Sequence, residues 1–217
     1  MYRHEILSRM LKTGVVAIVR LNSAESLQEV ADAIVAGGVD VIEFTMTTPG
    51  ALGILEAATR KLGDGVILGA GTVLDAESAR AAILAGAKFI VSPSLDRGTI
   101  EVCHRYGAAA VPGVLTPTEI TAALGWGADL IKLFPASVGG PEYLKAVRAP
   151  LPQAPLVPTG GVEVENAGAY IRAGAVAVAV GGSLVNAKLV ADREFSRMTE
   201  IARRLVHEVR AAREGAK

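Results

Sequence analysis

GADLIKLFPA, residues Gly127 to Ala136, decides how the fold is read, because it repeats a pattern found elsewhere and places a lysine, Lys132, in its otherwise apolar run. The copies are GVDVIEF from Gly38, GAKFIVS from Gly86, GADLIKL from Gly127 and GAVAVAV from Gly174. Each follows an alanine-rich stretch with helical spacing. In the first such stretch, SAESLQEVADAIVAG, residues Leu27, Val30, Ala31, Ile34 and Val35 share one face, and Gly37 and Gly38 end it where a glycine can take a left-handed cap. The local unit is helix, glycine, buried strand.

Four more β-branched runs lie between the copies: VVAIVR from Val15, VILGAGTV from Val66, AAVPGV from Ala109 and LVPTGGV from Leu156. Interleaved, they make eight strands, each followed by a helical segment. This predicts an α/β chain folded as a (β/α)8 TIM barrel, one domain over residues 1–217, with an additional N-terminal helix at 1–13 and a C-terminal helix at 191–213. An open doubly wound sheet is the alternative. It usually has fewer strands and a glycine-rich dinucleotide loop after the first, where this chain has RLNSAE.

Counting five residues from each repeated glycine reaches Glu43, Val91, Lys132 and Ala179. Side chains inside a barrel stack in layers taken from alternate strands, so these four positions share one inward layer. Glu43 and Lys132 are thereby placed inside together. A slip of one residue in either register would break the inference, because strand faces alternate.

The 22 basic and 22 acidic residues cancel, which leaves no electrostatic footprint for nucleic acid or an anionic membrane and favours a small-molecule partner. The single cysteine, Cys103, allows neither an intrachain disulfide nor a cysteine metal cluster. His4, His104 and His207 fall on outer helices, so no metal and no cofactor are expected. Trp126 ends a helix and reads as packing. MYRHEILSRMLKTG lacks the apolar block of a signal peptide, and no apolar run approaches the roughly 20 residues of a membrane span. The expected location is cytoplasmic.

A buried ion pair is one use for Glu43 and Lys132, but such pairs are weak stabilisers, often no better than a hydrophobic replacement. The other use is covalent catalysis. Burial makes a lysine lose its proton more easily, at a cost of about 1.4 kcal/mol for each tenfold change in acidity, and the neutral amine can attack a ketone to form a Schiff base. A neighbouring carboxylate then moves protons among the intermediates. Phe134 shares the inward face of Lys132.

Other strand ends fit this chemistry. GAGT offers Thr72, PTGG offers Thr159 followed by Gly160 and Gly161, and GGS offers Gly181, Gly182 and Ser183. Glycine loops after the last two strands of such barrels commonly bind phosphate through backbone amides, although glycine also simply ends strands. A phosphorylated substrate is implied. Arg20, at the end of the first strand, is a candidate anion holder, or a solvated surface residue.

The ordered set GVDVIEFT, GAGTVL, FIVSP, PGVLTPTE, IKLFPA, PTGGV and VGGSLV covers nearly the whole chain and closely resembles the 2-keto-3-deoxy-6-phosphogluconate (KDPG) and 4-hydroxy-2-oxoglutarate (KHG) aldolases. The resemblance implies a (β/α)8 barrel, a homotrimer without metal, and reversible cleavage of the phosphorylated keto acid to pyruvate and glyceraldehyde 3-phosphate in the Entner-Doudoroff pathway. Carried over by motif, Lys132 of IKLFPA is the Schiff-base lysine. Glu43 of VIEFT is the general acid/base, acting through water on the carbinolamine and on the C4 hydroxyl. Thr72 and Thr159 contact substrate, Pro93 and Phe134 are pocket walls, and Gly160, Gly161, Gly181, Gly182 and Ser183 form the phosphate cradle.

One departure stands out: some members carry an arginine four residues after the glutamate to grasp the pyruvate carboxylate, and this chain has Thr47, which is counted here among the expected substrate-binding residues. Arg20 is then the expected carboxylate partner, with Thr72. Members acting on the galactonate isomer tend to lack the threonine of PTGG, so Thr159 favours the gluconate. Three alternatives stay open: an aldolase for the 6-phosphogalactonate isomer, a phosphate-binding barrel isomerase or epimerase, and a catalytically silent oligomeric scaffold.

Overall fold

The computed structural model describes residues 1–20 and 25–215; the segment between the first strand and its helix, part of RLNSAE, lies outside them, as do residues 216–217. Strand and helix alternate: α1 Arg3–Thr13, β1 Val15–Val19, α2 Leu27–Ala36, β2 Val41–Thr45, α3 Ala51–Leu62, β3 Ile67–Gly71, α4 Ala76–Leu84, β4 Phe89–Val91, α5 Arg97–Tyr106, β5 Ala109–Val111, β6 Gly113–Val114. There follow α6 Pro117–Gly125, β7 Ile131–Leu133, α7 Gly140–Arg148, β8 Leu156–Pro158, α8 Val164–Arg172, β9 Val178–Val180, α9 Ala187–Ala191 and α10 Phe195–Glu214.

This is an α/β fold whose parallel strands form a curled sheet. The order is β5-β4-β3-β2-β1-β9 in one ladder and β6-β7-β8 in another. Where the sequence pattern predicts eight strands, the described residues hold nine strand segments, because AAVPGV divides into β5 and β6 at Pro112. Proline has no N–H to give to a ladder. Its carbonyl still accepts from the Lys132 amide at 2.9 Å. Thr159, just after β8, bridges Ala179 of β9 in parallel.

Two apolar cores follow from the strand alternation. Outward side chains pack under the helices, while Val16, Ile18, Val41, Ile67, Phe89, Val91, Ala109, Val111, Val157 and Ala179 fill the concave side. Ile6 and Met10 of α1 belong to this inner cluster. The expected helix face of α2 is buried at Leu27, Val30, Ala31 and Ile34, but Val35 is exposed. Gly37 ends α2 in ordinary right-handed backbone, and it is Gly38 that turns left-handed, at φ +94°. A Cβ on Gly37 would stand 2.4 Å from that of Ala202, so the small residue there serves close packing against α10. The last helix begins four residues later than the pattern predicts, at Phe195, because Arg193 adopts φ +54° and breaks the chain between α9 and α10.

Among the described residues, no helix is long and apolar enough to cross a membrane.

Candidate active site

The polar residues singled out by sequence gather where the strands end. A cavity of about 310 Å³ is lined by Ile18, Arg20, Glu43, Thr72, Lys132 and Phe134, by the segment Thr159 to Glu163, and by Ala179, Gly181, Gly182 and Ser183. A larger hollow, about 530 Å³, lies at the opposite end of the strands beside Arg9, Lys12, Asp40 and Arg213. There Arg9 is committed to Asp40 at 2.8 Å and Arg213 to the carbonyls of Leu11 and Val176, so these cations are already used in tying α1 and α10 to the segments that lead into β2 and β9. The smaller cavity holds Glu43 and Lys132 together.

Strand pairing explains how it does so. Lys132 lies opposite Gly113 and Val157, and Glu43 lies opposite Ile18 and Gly69. Both side chains are buried, Glu43 at 2% exposure and Lys132 at 6%. Room for them comes from glycine. A Cβ on Gly69 would stand 2.4 Å from the Phe89 ring, and one on Gly71 would stand 1.6 Å from Glu43 Oε1. Gly71 is therefore the floor against which the carboxyl rests, a role hidden inside the GAGT motif.

Burial first, and to a lesser degree the nearby charges, sets the protonation of the pair. Desolvation raises the Glu43 carboxyl above the ordinary carboxylate range, against the pull of Lys132 and then Arg20. Desolvation likewise lowers the Lys132 ammonium, against the pull of Glu43 and assisted by Arg20. The two groups sense each other through charge, with no hydrogen bond joining them. Each is pushed toward its neutral form, which suits a nucleophilic amine beside a proton donor. Lys132 Nζ also sits 4.7 Å above the centre of the Phe134 ring.

Thr72 completes the rim in an unusual way. Its φ of +58° puts a β-branched residue in left-handed backbone, a strained state that clusters at functional sites. Thr159 is buried, with its hydroxyl 3.4 Å from the Val157 carbonyl. The segment after Lys132 is fixed by two further hydrogen bonds: Tyr170 donates its hydroxyl to the Ala136 carbonyl at 3.2 Å, and the Ser137 amide donates to the Gly160 carbonyl at 3.0 Å.

Gly160 and Gly161 both adopt left-handed backbone, at φ +85° and +80°, and a Cβ on Gly161 would stand 2.7 Å from that of Ser137. The amides of Gly161, Gly182 and Ser183 give to no backbone acceptor among the described residues, which leaves them available to an anion. The Ser183 hydroxyl is 3.3 Å from the Val162 carbonyl.

Two expected residues stand apart from the cavity. Thr47 is exposed and turns its hydroxyl to Thr45 at 3.4 Å, in a small threonine cluster with Thr48. Pro93 does not line the cavity; its backbone packs where Gly113 leaves space, within 2.5 Å of a Cβ there. Conversely, Ile18, Val162 and Glu163 line the cavity without having been singled out by sequence. For Glu163 the available signal was adjacency to PTGG.

His4 lies on α1, His104 on α5 and His207 on α10, and no group of three histidine, cysteine or acidic side chains among the described residues could hold a metal ion. Cys103 is buried, its thiol pKa pushed up to about 12 by desolvation and by Asp129. Trp126, expected in packing, is 38% exposed at the end of α6.

Comparison with known proteins places these features in company. The family model described as KDPG and KHG aldolase matches residues 6–201. A 2-dehydro-3-deoxy-phosphogluconate aldolase of Treponema pallidum (strain Nichols) is 33% identical over 198 residues, covering 91% of this chain and 94% of the relative. A 2-dehydro-3-deoxy-6-phosphogalactonate aldolase of Escherichia coli (strain K12) is 35% identical over 178 residues, covering 81% and 86%. Among solved structures, KDPG aldolase from Legionella pneumophila, with pyruvate captured at low pH as a covalent carbinolamine intermediate, superposes with a TM-score of 0.84 at 28% identity. That match covers 92% of this chain and 97% of the other.

Proposed function

The chain belongs to the KDPG and KHG aldolase family, and from that premise we propose that it is a class I aldolase cleaving 2-keto-3-deoxy-6-phosphogluconate to pyruvate and glyceraldehyde 3-phosphate. Cleavage of 4-hydroxy-2-oxoglutarate to pyruvate and glyoxylate is the secondary activity of the same site. The observation that carries the reading is the pair Glu43 and Lys132, buried in one cavity and each pushed toward neutrality.

In this mechanism the Lys132 amine attacks the C2 ketone, and Glu43 supplies the proton that lets water leave the carbinolamine, giving a protonated Schiff base. Glu43, now a carboxylate, takes the C4 hydroxyl proton through water. The C3–C4 bond breaks, its electrons pass to the iminium, and the aldehyde departs. Protonation of the resulting enamine at C3 and hydrolysis return pyruvate and the free amine. Support for the covalent step comes from the carbinolamine trapped in the Legionella relative. Arg20 is the cation lining the cavity that can hold the carboxylate, with Thr72 beside it, since Thr47 faces away. Thr159 and Phe134 shape the pocket, and Gly160, Gly161, Gly181, Gly182 and Ser183 cradle the phosphate.

The same reading makes the curled sheet a closed (β/α)8 barrel. The Thr159–Ala179 bridge and the single residue between β5 and β6 support closure. It also makes the protein a cytoplasmic homotrimer, as the family resemblance implies.

Identity alone does not choose the substrate, since the galactonate relative is no more distant than the gluconate one. Retro-aldol rates should be measured on the gluconate and galactonate phosphates and on 4-hydroxy-2-oxoglutarate. The gluconate phosphate is expected to be fastest, and equal rates without phosphate would refute the role of the glycine cradle.

A further inference from the structure

Glu163 is the unexplained group in this cavity. It is exposed and lines the same cavity as Gly160, Gly161, Gly182 and Ser183, so an acidic residue borders the loops whose backbone amides suit an anion. It is also held in place. Its extended backbone forms the N-cap of α8, its amide donates to Asn166 Oδ1 at 2.9 Å, and Asn166 Nδ2 donates to the Gly161 carbonyl at 2.8 Å. Asn166 thereby ties the glycine loop and Glu163 together.

Glu163 and Asn166 form the capping box of α8, a role that does not call for a glutamate. Serine, threonine, aspartate and asparagine are the preferred N-caps, and each has a shorter side chain that stays closer to the helix end. No ion pair within 4 Å engages the Glu163 carboxylate among the described residues; the neighbouring Glu165 is the one that meets Arg204. The cavity wall also carries Arg20, the cation assigned above to the substrate carboxylate, so Glu163 is the lining acidic residue with no part in the reaction derived above.

We propose that Glu163 is a specificity-determining residue that narrows the advantage of a phosphorylated keto acid over the same acid ending in a free hydroxyl. A phosphate monoester carries close to two negative charges at neutral pH, and it must approach a fixed carboxylate to reach the glycine amides. A terminal hydroxyl meets no such repulsion and can donate to the carboxylate instead. The inference rests on the aldolase reading given above and concerns the selectivity of that same site.

The test is the ratio of kcat/KM for 2-keto-3-deoxy-6-phosphogluconate to that for unphosphorylated 2-keto-3-deoxygluconate. It is measured in the wild type and in Glu163→Gln, Glu163→Ser and Glu163→Asp. Both neutral variants should raise the ratio about tenfold, the size expected for removing one nearby like charge from a partly hydrated site. Serine also keeps a good helix cap, so a folded neutral variant is available if glutamine perturbs α8. Aspartate keeps the charge and should leave the ratio within about threefold of wild type. Added salt should close the gap between wild type and the neutral variants. A ratio that stays within twofold of wild type in both neutral variants overturns the inference. Wild-type protein that cleaves neither substrate overturns the aldolase reading instead.

Discussion

Replacing Gly71 with alanine should cripple catalysis without touching any group that reacts. The added Cβ would lie 1.6 Å from Glu43 Oε1, 2.3 Å from Cδ and 2.7 Å from Cγ. Ordinary contact needs roughly 3.5 Å, so the carboxyl must retreat by about 2 Å. Phe89 fills the adjoining space next to Gly69, so the room left to the displaced carboxyl is the substrate cavity itself, away from its place against Gly71. The backbone at Gly71 is not left-handed, and alanine fits it without strain. The damage is therefore aimed at the carboxyl. Misplacing a reacting group by about 1 Å can cost a hundredfold, so kcat should fall at least about 10²-fold, close to 2.7 kcal/mol of barrier. Overpacking should cost about 1–3 kcal/mol of stability, lowering the melting temperature by several degrees while the protein stays folded. Pyruvate release coupled to lactate dehydrogenase reads kcat and KM directly, and circular dichroism reads the fold. A folded Gly71→Ala protein with kcat within about threefold of wild type would show that Glu43 is not the proton-transfer group, or that Gly71 is not its floor.

Lys132→Met should abolish cleavage and stabilise the protein at neutral pH. Because burial lowers the Lys132 pKa in the folded state, the folded chain binds fewer protons than the unfolded one below the lysine's ordinary value near 10.4. Stability conferred by the wild-type lysine therefore rises with pH through that window, and thermal melts should show methionine's advantage, about 1–4 kcal/mol at pH 7, shrinking toward pH 10. An advantage that grew with pH would contradict the direction of the shift. Thr72→Gly should relieve the left-handed strain and raise stability by about 1 kcal/mol, while loss of the hydroxyl lowers kcat/KM about tenfold. If stability and activity both fell, the strain at Thr72 would not be what the geometry indicates.

The repeated glycine offset makes the meeting of Glu43 and Lys132 legible in the sequence. Counting from Gly38 and Gly127 brings Glu43 and Lys132 into one layer, and both line the cavity with Ala179 from the fourth copy. Strand period is two without exception, so a correct register carries every side chain to its face. Other features depend on distances between segments far apart in the chain. Pro112 interrupts the ladder because it lacks a donor, yet AAVPGV has the composition of an unbroken strand. Val35 belongs to the apolar stripe of α2 by spacing, but the surface facing it is the hollow beside Arg9 and Arg213. Thr47 stands where the resemblance implies an arginine in some relatives, and its hydroxyl turns to Thr45 outside the cavity. Gly71 and Glu163 lie inside or beside quoted motifs. Their roles depend on what stands across from them, which a linear pattern does not record.

Everything in the proposed reaction depends on the Lys132 amine acting as the nucleophile. Incubation with pyruvate and borohydride, followed by proteolysis and mass spectrometry, tests it at the level of one residue. A reduced pyruvate adduct is expected on Lys132 and none in Lys132→Arg, together with loss of retro-aldol activity in step with labelling. An active enzyme whose Lys132 stays unmodified under these conditions would contradict it.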